Sequence, residues 1–155
     1  MKFALTVAAA LISTQAFADG HAITPTGDAA AGEKAFRKCV ACHVVKNENG
    51  DTLAGKAART GPNLYGIAGA PIGQQEFKYS KVAIAAAEAG AIMTEDNFVA
   101  YLADPSKYLS EVAGEKGRSK MALKVNKEQD ARDLFAYLFS LQPATEAPAE
   151  AATTN

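Results

Sequence analysis

Apolar residues along this 155-residue chain gather into short segments with helical spacing, separated by long polar stretches. The last segment is the clearest. Ala131, Leu134, Phe135, Leu138 and Leu141 recur at three- and four-residue steps and give one apolar face to a helix over 127–141. Asn126 with Gln129 has the form of a capping box at its start. Asp28 can cap a first helix that runs through Gly32 and Phe36. Ser80 opens an Ala-rich segment, 81–89, closed by Gly90, a residue suited to a helix C-terminus. Thr94 caps a helix over 95–103, which ends ahead of Asp104-Pro105 because proline disfavours helical geometry in its predecessor. A short turn of helix follows over 105–110. No stretch alternates as a strand does. The expected fold class is all-α, about five helices joined by long loops.

The two ends differ from the middle. Lys2, an apolar run from Phe3 to Ile12 and the close Ala16-Phe17-Ala18 describe a signal peptide over 1–18, cleaved after about Ala18. The run is well short of the roughly 20 apolar residues that a spanning helix needs, which argues against a membrane anchor and against stable membrane insertion. The mature chain is then exported, in a bacterium to the periplasm. Residues 19–27 read as a short flexible lead. Residues 143–155, all small, polar or proline, read as a disordered tail. About 120 residues remain between these ends, enough for one domain, over 28–142, and too few for two. Cleavage removes one basic residue, Lys2, from 16 and no acidic one from 17, so the mature charge is −2. That balance is too close to neutral to argue for nucleic acid or a strongly charged surface as a partner, and no nucleic-acid partner is expected.

The middle holds one motif that decides the chemistry. Cys39-Val40-Ala41-Cys42-His43 contains the only two cysteines in the chain. Two thiols at this spacing add across the two vinyl groups of one haem, and the histidine after them is carried to the iron. One covalently bound haem c also explains the loops, which are long for so small a domain, because a buried macrocycle supplies apolar area that the chain lacks. The other histidine, His21, lies in the polar lead. The sixth iron ligand is therefore expected from a methionine. Met93 stands directly before the cap Thr94, with Phe98 beyond it, the arrangement of a hydrophobic staple. Met121 lies in a loop between helices, free of helical constraint, and is the favoured ligand. An iron with both axial positions filled by protein transfers electrons rather than binding substrate. Gly61-Pro62 either presents a carbonyl to the second ring nitrogen of His43 or is an ordinary turn, and spacing alone does not choose.

Taken in order, these motifs resemble class I cytochromes c, and most closely the bacterial cytochrome c2/c550 group. The likeness covers about residues 28–141: Gly32, Phe36 and Cys39-x-x-Cys42-His43, then Thr60-Gly61-Pro62-Asn63-Leu64-Tyr65-Gly66 and Phe77-x-Tyr79. It continues through Tyr101-Leu102-x-x-Pro105-x-x-Tyr108, Lys120-Met121 and Leu134-x-x-Tyr137-Leu138. The resemblance implies that Pro62 offers the carbonyl to His43, that Met121 is the sixth ligand, that Tyr79 bonds a haem propionate and that Tyr101 lies beside the methionine sulfur. It implies that Gly32 and Phe36 pack against Leu134 and Tyr137 where the first and last helices cross.

By the same resemblance the protein is a soluble monomeric one-electron carrier of a respiratory or photosynthetic chain. The resemblance implies a cytochrome bc1 complex as its donor and, as its acceptor, a terminal oxidase, a photosynthetic reaction centre, a peroxidase or a denitrification enzyme, among which the sequence does not choose. Lys38, Lys107, Lys120 and Lys124, with Arg37 and Arg118, flank the attachment site and the Met121 loop and can form a basic ring for acidic partners. Two positions depart from the family pattern. Met93 stands where a propionate-binding tryptophan is usual, and Ala70 where an arginine is common. The competing reading is a haem c enzyme or gas-binding sensor with a displaceable sixth ligand. A thiol oxidoreductase is a weaker rival, since no βαβ pattern surrounds the two cysteines.

Overall fold

The computed structural model describes residues 23–56 and 60–143. Its elements are α1 (Ala29–Phe36), β1 (Val44–Lys46), β2 (Thr52–Gly55), α2 (Lys81–Glu88), α3 (Glu95–Ala103), α4 (Pro105–Ala113) and α5 (Glu128–Ser140). The Asp28 carboxylate caps α1 by accepting from the Ala30 and Ala31 N–H groups at 2.7 and 3.1 Å. α1 and α5 cross at Gly32. A Cβ at that position would lie 2.0 Å from the Asp133 carbonyl oxygen and 2.7 Å from the Tyr137 Cβ, so only glycine permits the approach. One turn later the Phe36 and Tyr137 rings meet with centroids 5.5 Å apart.

The core has two parts. The larger joins α1, α3 and α5 through Phe36, Phe98, Leu102, Leu134, Phe135 and Leu138. Each such side chain stabilises the fold by about 1.5–3 kcal/mol when fully buried. The smaller joins α2 to α4 through Val82, Ala86, Tyr108 and Leu109. Phe36, Leu134 and Leu138 of the first part and Ala83 and Leu109 of the second line one common cavity.

Four details differ from the sequence reading. First, β1 and β2 pair as an antiparallel hairpin, Val44 opposite Gly55 and Lys46 opposite Thr52. It lacked an alternating signature because Thr52 and Leu53 are both exposed. Second, the capping box at Asn126 does not form. α5 starts at Glu128 after Lys127, and the Gln129 amide donates to Asp133 Oδ1 at 2.8 Å instead of reaching back. Third, α4 runs beyond 110 to Ala113, where Gly114 ends it in the left-handed region at φ 68°. The extra turn lets Val112 and Ala113 pack on the smaller core.

Fourth, the stretch read as a flexible lead is docked from Ile23 onward. Ile23 packs on the larger core. The Thr26 N–H and hydroxyl both donate to the Glu95 carboxylate, at 2.9 and 3.0 Å, and the Asp28 N–H donates to Asp133 Oδ1 at 2.8 Å. The leader at 1–18, His21 and the tail from Ala144 lie outside the described residues. Among the described residues no helix is long and apolar enough to cross a membrane.

Candidate functional site

The cavity between the two cores has a volume of about 430 Å³, within the range of cofactor sites. The cysteine motif forms one wall as a continuation of α1. Cys39 N–H donates to the Phe36 carbonyl at 2.8 Å, and the Cys42 and His43 N–H groups both turn back to the Cys39 carbonyl, at 3.0 and 2.9 Å. This winding places Cys39, Cys42 and His43 together on the cavity. Burial pushes the Cys39 thiol up to about 11. Among the described residues no βαβ unit surrounds the two cysteines, which counts against a thiol oxidoreductase.

His43 is held on three sides. Its Nδ1 lies 2.9 Å from the Pro62 carbonyl. A carbonyl can only accept, so Nδ1 carries the proton and Nε2 keeps its lone pair. The Gly61 N–H donates to the Cys42 carbonyl at 2.8 Å and the Leu64 N–H to the Val44 carbonyl at 2.8 Å, strapping the segment 61–64 onto the motif. Asn63 fixes the strap, accepting from the Lys46 N–H at 2.9 Å and donating to the Lys46 carbonyl at 2.7 Å. A Cβ on Gly61 would lie 2.5 Å from Cε1 of the His43 ring. The glycine is thus a packing requirement of the site, which spacing had offered only as part of a turn. Burial lowers the His43 pKa, and the bond to Pro62 partly offsets this.

Met121 lies on the loop between α4 and α5, half-buried, and lines the cavity together with Tyr101 of α3. Tyr101 packs edge-on against Tyr108 with centroids 6.0 Å apart. Met93 also lines the cavity, but it is buried in the larger core with Phe98. Its N–H donates to the Ala70 carbonyl, and its carbonyl accepts from the Gly69 N–H, both at 2.8 Å.

A polar feature sits in this largely apolar enclosure. Ser80 Oγ is buried, lines the cavity and has no hydrogen-bond partner. Tyr79 lies beside it, its phenol pushed up by burial. Ser80 stands at the start of α2 but makes no side-chain cap bond to it. A buried donor without an acceptor is costly and fits a group that brings one, such as a haem carboxylate. The charged side chains on the lining are Lys38 and Lys120, with no Asp or Glu among them, which suits an anionic cofactor. Ala70 and Met93 add apolar surface at the two positions where arginine and tryptophan are missing.

The basic residues noted in the sequence are unequally free. Lys124 bonds Asp104 at 2.6 Å and Lys107 lies 3.8 Å from Glu111. Lys120 donates to the Lys78 carbonyl and sits 5.6 Å from the Phe77 ring centroid.

A family model described as Cytochrome c matches residues 29–142. The cytochrome c2 of Rhodovulum adriaticum is 51% identical over 118 residues, spanning 75% of this chain and 94% of that protein. The cytochrome c-550 of Paracoccus pantotrophus is 41% identical over 131 residues, 80% of this chain and 96% of its own length. Among solved structures, the cytochrome c2 from Rhodobacter sphaeroides superposes with a TM-score of 0.71 at 44% identity, covering 74% of this chain and 95% of that one.

Proposed function

We propose, for a chain that belongs to the cytochrome c family and is an electron carrier with one covalently bound haem c, that His43 and Met121 are the axial iron ligands and that Cys39 and Cys42 form the thioethers. Haem supplies an iron that takes up and releases one electron. The chain's own residues hold that iron in one environment in both oxidation states. The Pro62 carbonyl keeps the proton on His43 Nδ1, which leaves Nε2 as the donor atom and fixes the plane of the ring. Ser80 and Tyr79 hold a haem carboxylate in place of the absent arginine and tryptophan. Tyr101 lies beside the methionine thioether. The apolar remainder of the wall excludes water, which limits reorganisation when charge moves.

The observation that carries the ligand assignment is the hydrogen bond from His43 to Pro62, on a cavity that Met121 also lines. The test is the far-red methionine-to-iron absorption band of the ferric holoprotein. It is expected in the wild type and in Met93→Leu, and absent in Met121→Ala. A band that survives Met121→Ala would overturn the assignment, and its absence from the wild type would favour the haem enzyme or gas sensor.

The same reading makes the protein a monomer of the bacterial periplasm, cleaved after about Ala18, with a cytochrome domain over 28–142. It carries electrons between membrane redox complexes, from cytochrome bc1 to a terminal oxidase or photosynthetic reaction centre. Docking uses the basic side chains near the cavity, and Lys38 contributes more than Lys124, which is already paired.

A further inference from the structure

One wall of the cavity is a short ladder between two loops. The Gly69 N–H donates to the Met93 carbonyl and the Met93 N–H to the Ala70 carbonyl, both at 2.8 Å. The Ile72 N–H donates to the Ala91 carbonyl at 2.9 Å. Ala70, Pro71, Ile72 and Met93 line the cavity from this ladder. On its far side lies the segment 23–28. A Cβ on Gly69 would fall on the Ile23 Cδ1, so the isoleucine rests directly against the ladder's backbone. Ile23 is held there through Thr26, whose N–H and hydroxyl both donate to the Glu95 carboxylate, two residues beyond Met93. Arg132 of α5 closes the group, with Nη1 3.3 Å from Glu95 Oε2 and 3.4 Å from Thr26 Oγ. Gly27 lies hard against α5, where a Cβ would fall on the Arg132 carbonyl oxygen, and the Asp28 N–H bonds Asp133. Pro25 stiffens the link between these anchors and Ile23.

We infer that the segment 23–28 is an outer brace of this cavity wall, with Ile23 and Thr26 as positioning residues for the haem environment. The inference rests on haem filling the cavity, and not on which side chain is its sixth ligand. So few backbone bonds do not make a pair of loops stable by themselves. What packs on the ladder's outer side therefore decides how often it opens. Ala70 and Met93 offer no polar side chain to tie the wall to its contents, since arginine and tryptophan are missing there. Ile23 supplies an apolar cover instead, and the anchors on Glu95 and Asp133 keep it from leaving. Without that cover the Gly69 and Met93 amides exchange their partners for water, and water gains entry to an apolar wall. Ferric haem carries one more positive charge than ferrous haem. Water at the wall favours the ferric form and lowers the reduction potential.

The experiment compares holoprotein of the wild type with I23L, I23A and T26V, reading the reduction potential and amide exchange residue by residue. I23L keeps the apolar bulk and is expected to match the wild type. I23A is expected to lower the potential and to quicken exchange of the Gly69 and Met93 amides about tenfold, the weight of truncating a half-buried isoleucine. The amides of α1 and α5 should keep their protection. T26V leaves Ile23 in place and removes one hydroxyl, so the same changes are expected at about threefold; it also serves should I23A fail to load haem. Wild-type exchange at Gly69 and Met93 in I23A, or a wild-type potential, would overturn the inference. Exchange that quickens equally in α1 and α5 would overturn it too, since Ile23 would then support the whole domain and not this wall. Failure of the Met121 assignment shows separately, as a wild type without the far-red band.

Discussion

The histidine wall and the methionine wall of the cavity are built by different means. His43 sits in a motif contiguous in sequence, against a strap that meets it through backbone hydrogen bonds and a glycine with no room for a Cβ. Met121 sits on a loop with no helical or strand hydrogen bonds of its own. That loop is suspended from α4 by serine hydroxyls and from Lys78 and Asp104 by lysines. Backbone bonds and steric exclusion give the first wall one arrangement. Single side-chain bonds, each worth about 1 kcal/mol, give the second a graded one. The His43 side is thus fixed mainly through backbone and steric contacts, the Met121 side mainly through side-chain ones.

The sharpest way to break that comparison is to crowd the histidine wall. Gly61→Ala places a methyl group 2.5 Å from Cε1 of His43, so the ring or the strap must move, and overpacking of this kind costs about 1–3 kcal/mol. Thermal unfolding of the holoprotein is expected to show the loss, together with a changed Soret spectrum as the His43–Pro62 bond lengthens. An unchanged midpoint would mean that the strap yields freely and that the two walls are alike.

A smaller effect is expected on the other side. Ser106→Ala removes the acceptor of the Ser119 N–H and should cost about 1 kcal/mol. Amide exchange should quicken over 114–121 while α1 and α5 keep their protection, because the loop has no part in their crossing. Exchange that quickens equally in α1 would show that the loop opens only when the whole domain does.

The same contrast explains what could be read before the structure. Cys39, Cys42 and His43 were legible because their chemistry depends on a spacing of a few residues. The crossing of α1 and α5 was legible only through the family resemblance, since Gly32, Phe36, Leu134 and Tyr137 by themselves read simply as core. Pro62 was half legible, since a turn can be recognised in sequence but the direction of its carbonyl cannot. The serines were not legible at all. Ser106 and Ser110 acquire their roles only when α4 lies against a loop beginning after Gly114, and no periodic pattern marks such a juxtaposition. The false capping box failed for a related reason: Gln129 has a better partner in Asp133, which also anchors Asp28 from a distant part of the chain. Local propensity loses where another partner, itself tied into the tertiary structure, offers more. The docked lead from Ile23 to Gly27 is the same case, a polar stretch ordered by Glu95.

The weakest fixing of the methionine wall is the pair formed by Asp104 and Lys124, and acid should loosen it first. The Lys124 ammonium, followed by the Lys107 N–H, holds the Asp104 carboxyl below its ordinary value. A carboxyl whose pKa is lowered by folding contributes stability that is present above its unfolded value. The contribution is lost as pH falls through the lowered one, here below about pH 4. Both side chains are well exposed, so the contribution is small and screened by salt. Asp104→Asn keeps an oxygen to accept from the Lys107 N–H at the start of α4 and removes only the charge. Between about pH 5 and about pH 3 the unfolding midpoint should therefore fall slightly less in the variant than in the wild type, and high salt should erase the difference. A wild type and variant that fall together at low salt would show that the Asp104–Lys124 pair adds nothing. The loop would then hang on its serines, on Lys120 and on the bond from the Val125 N–H to the Leu102 carbonyl.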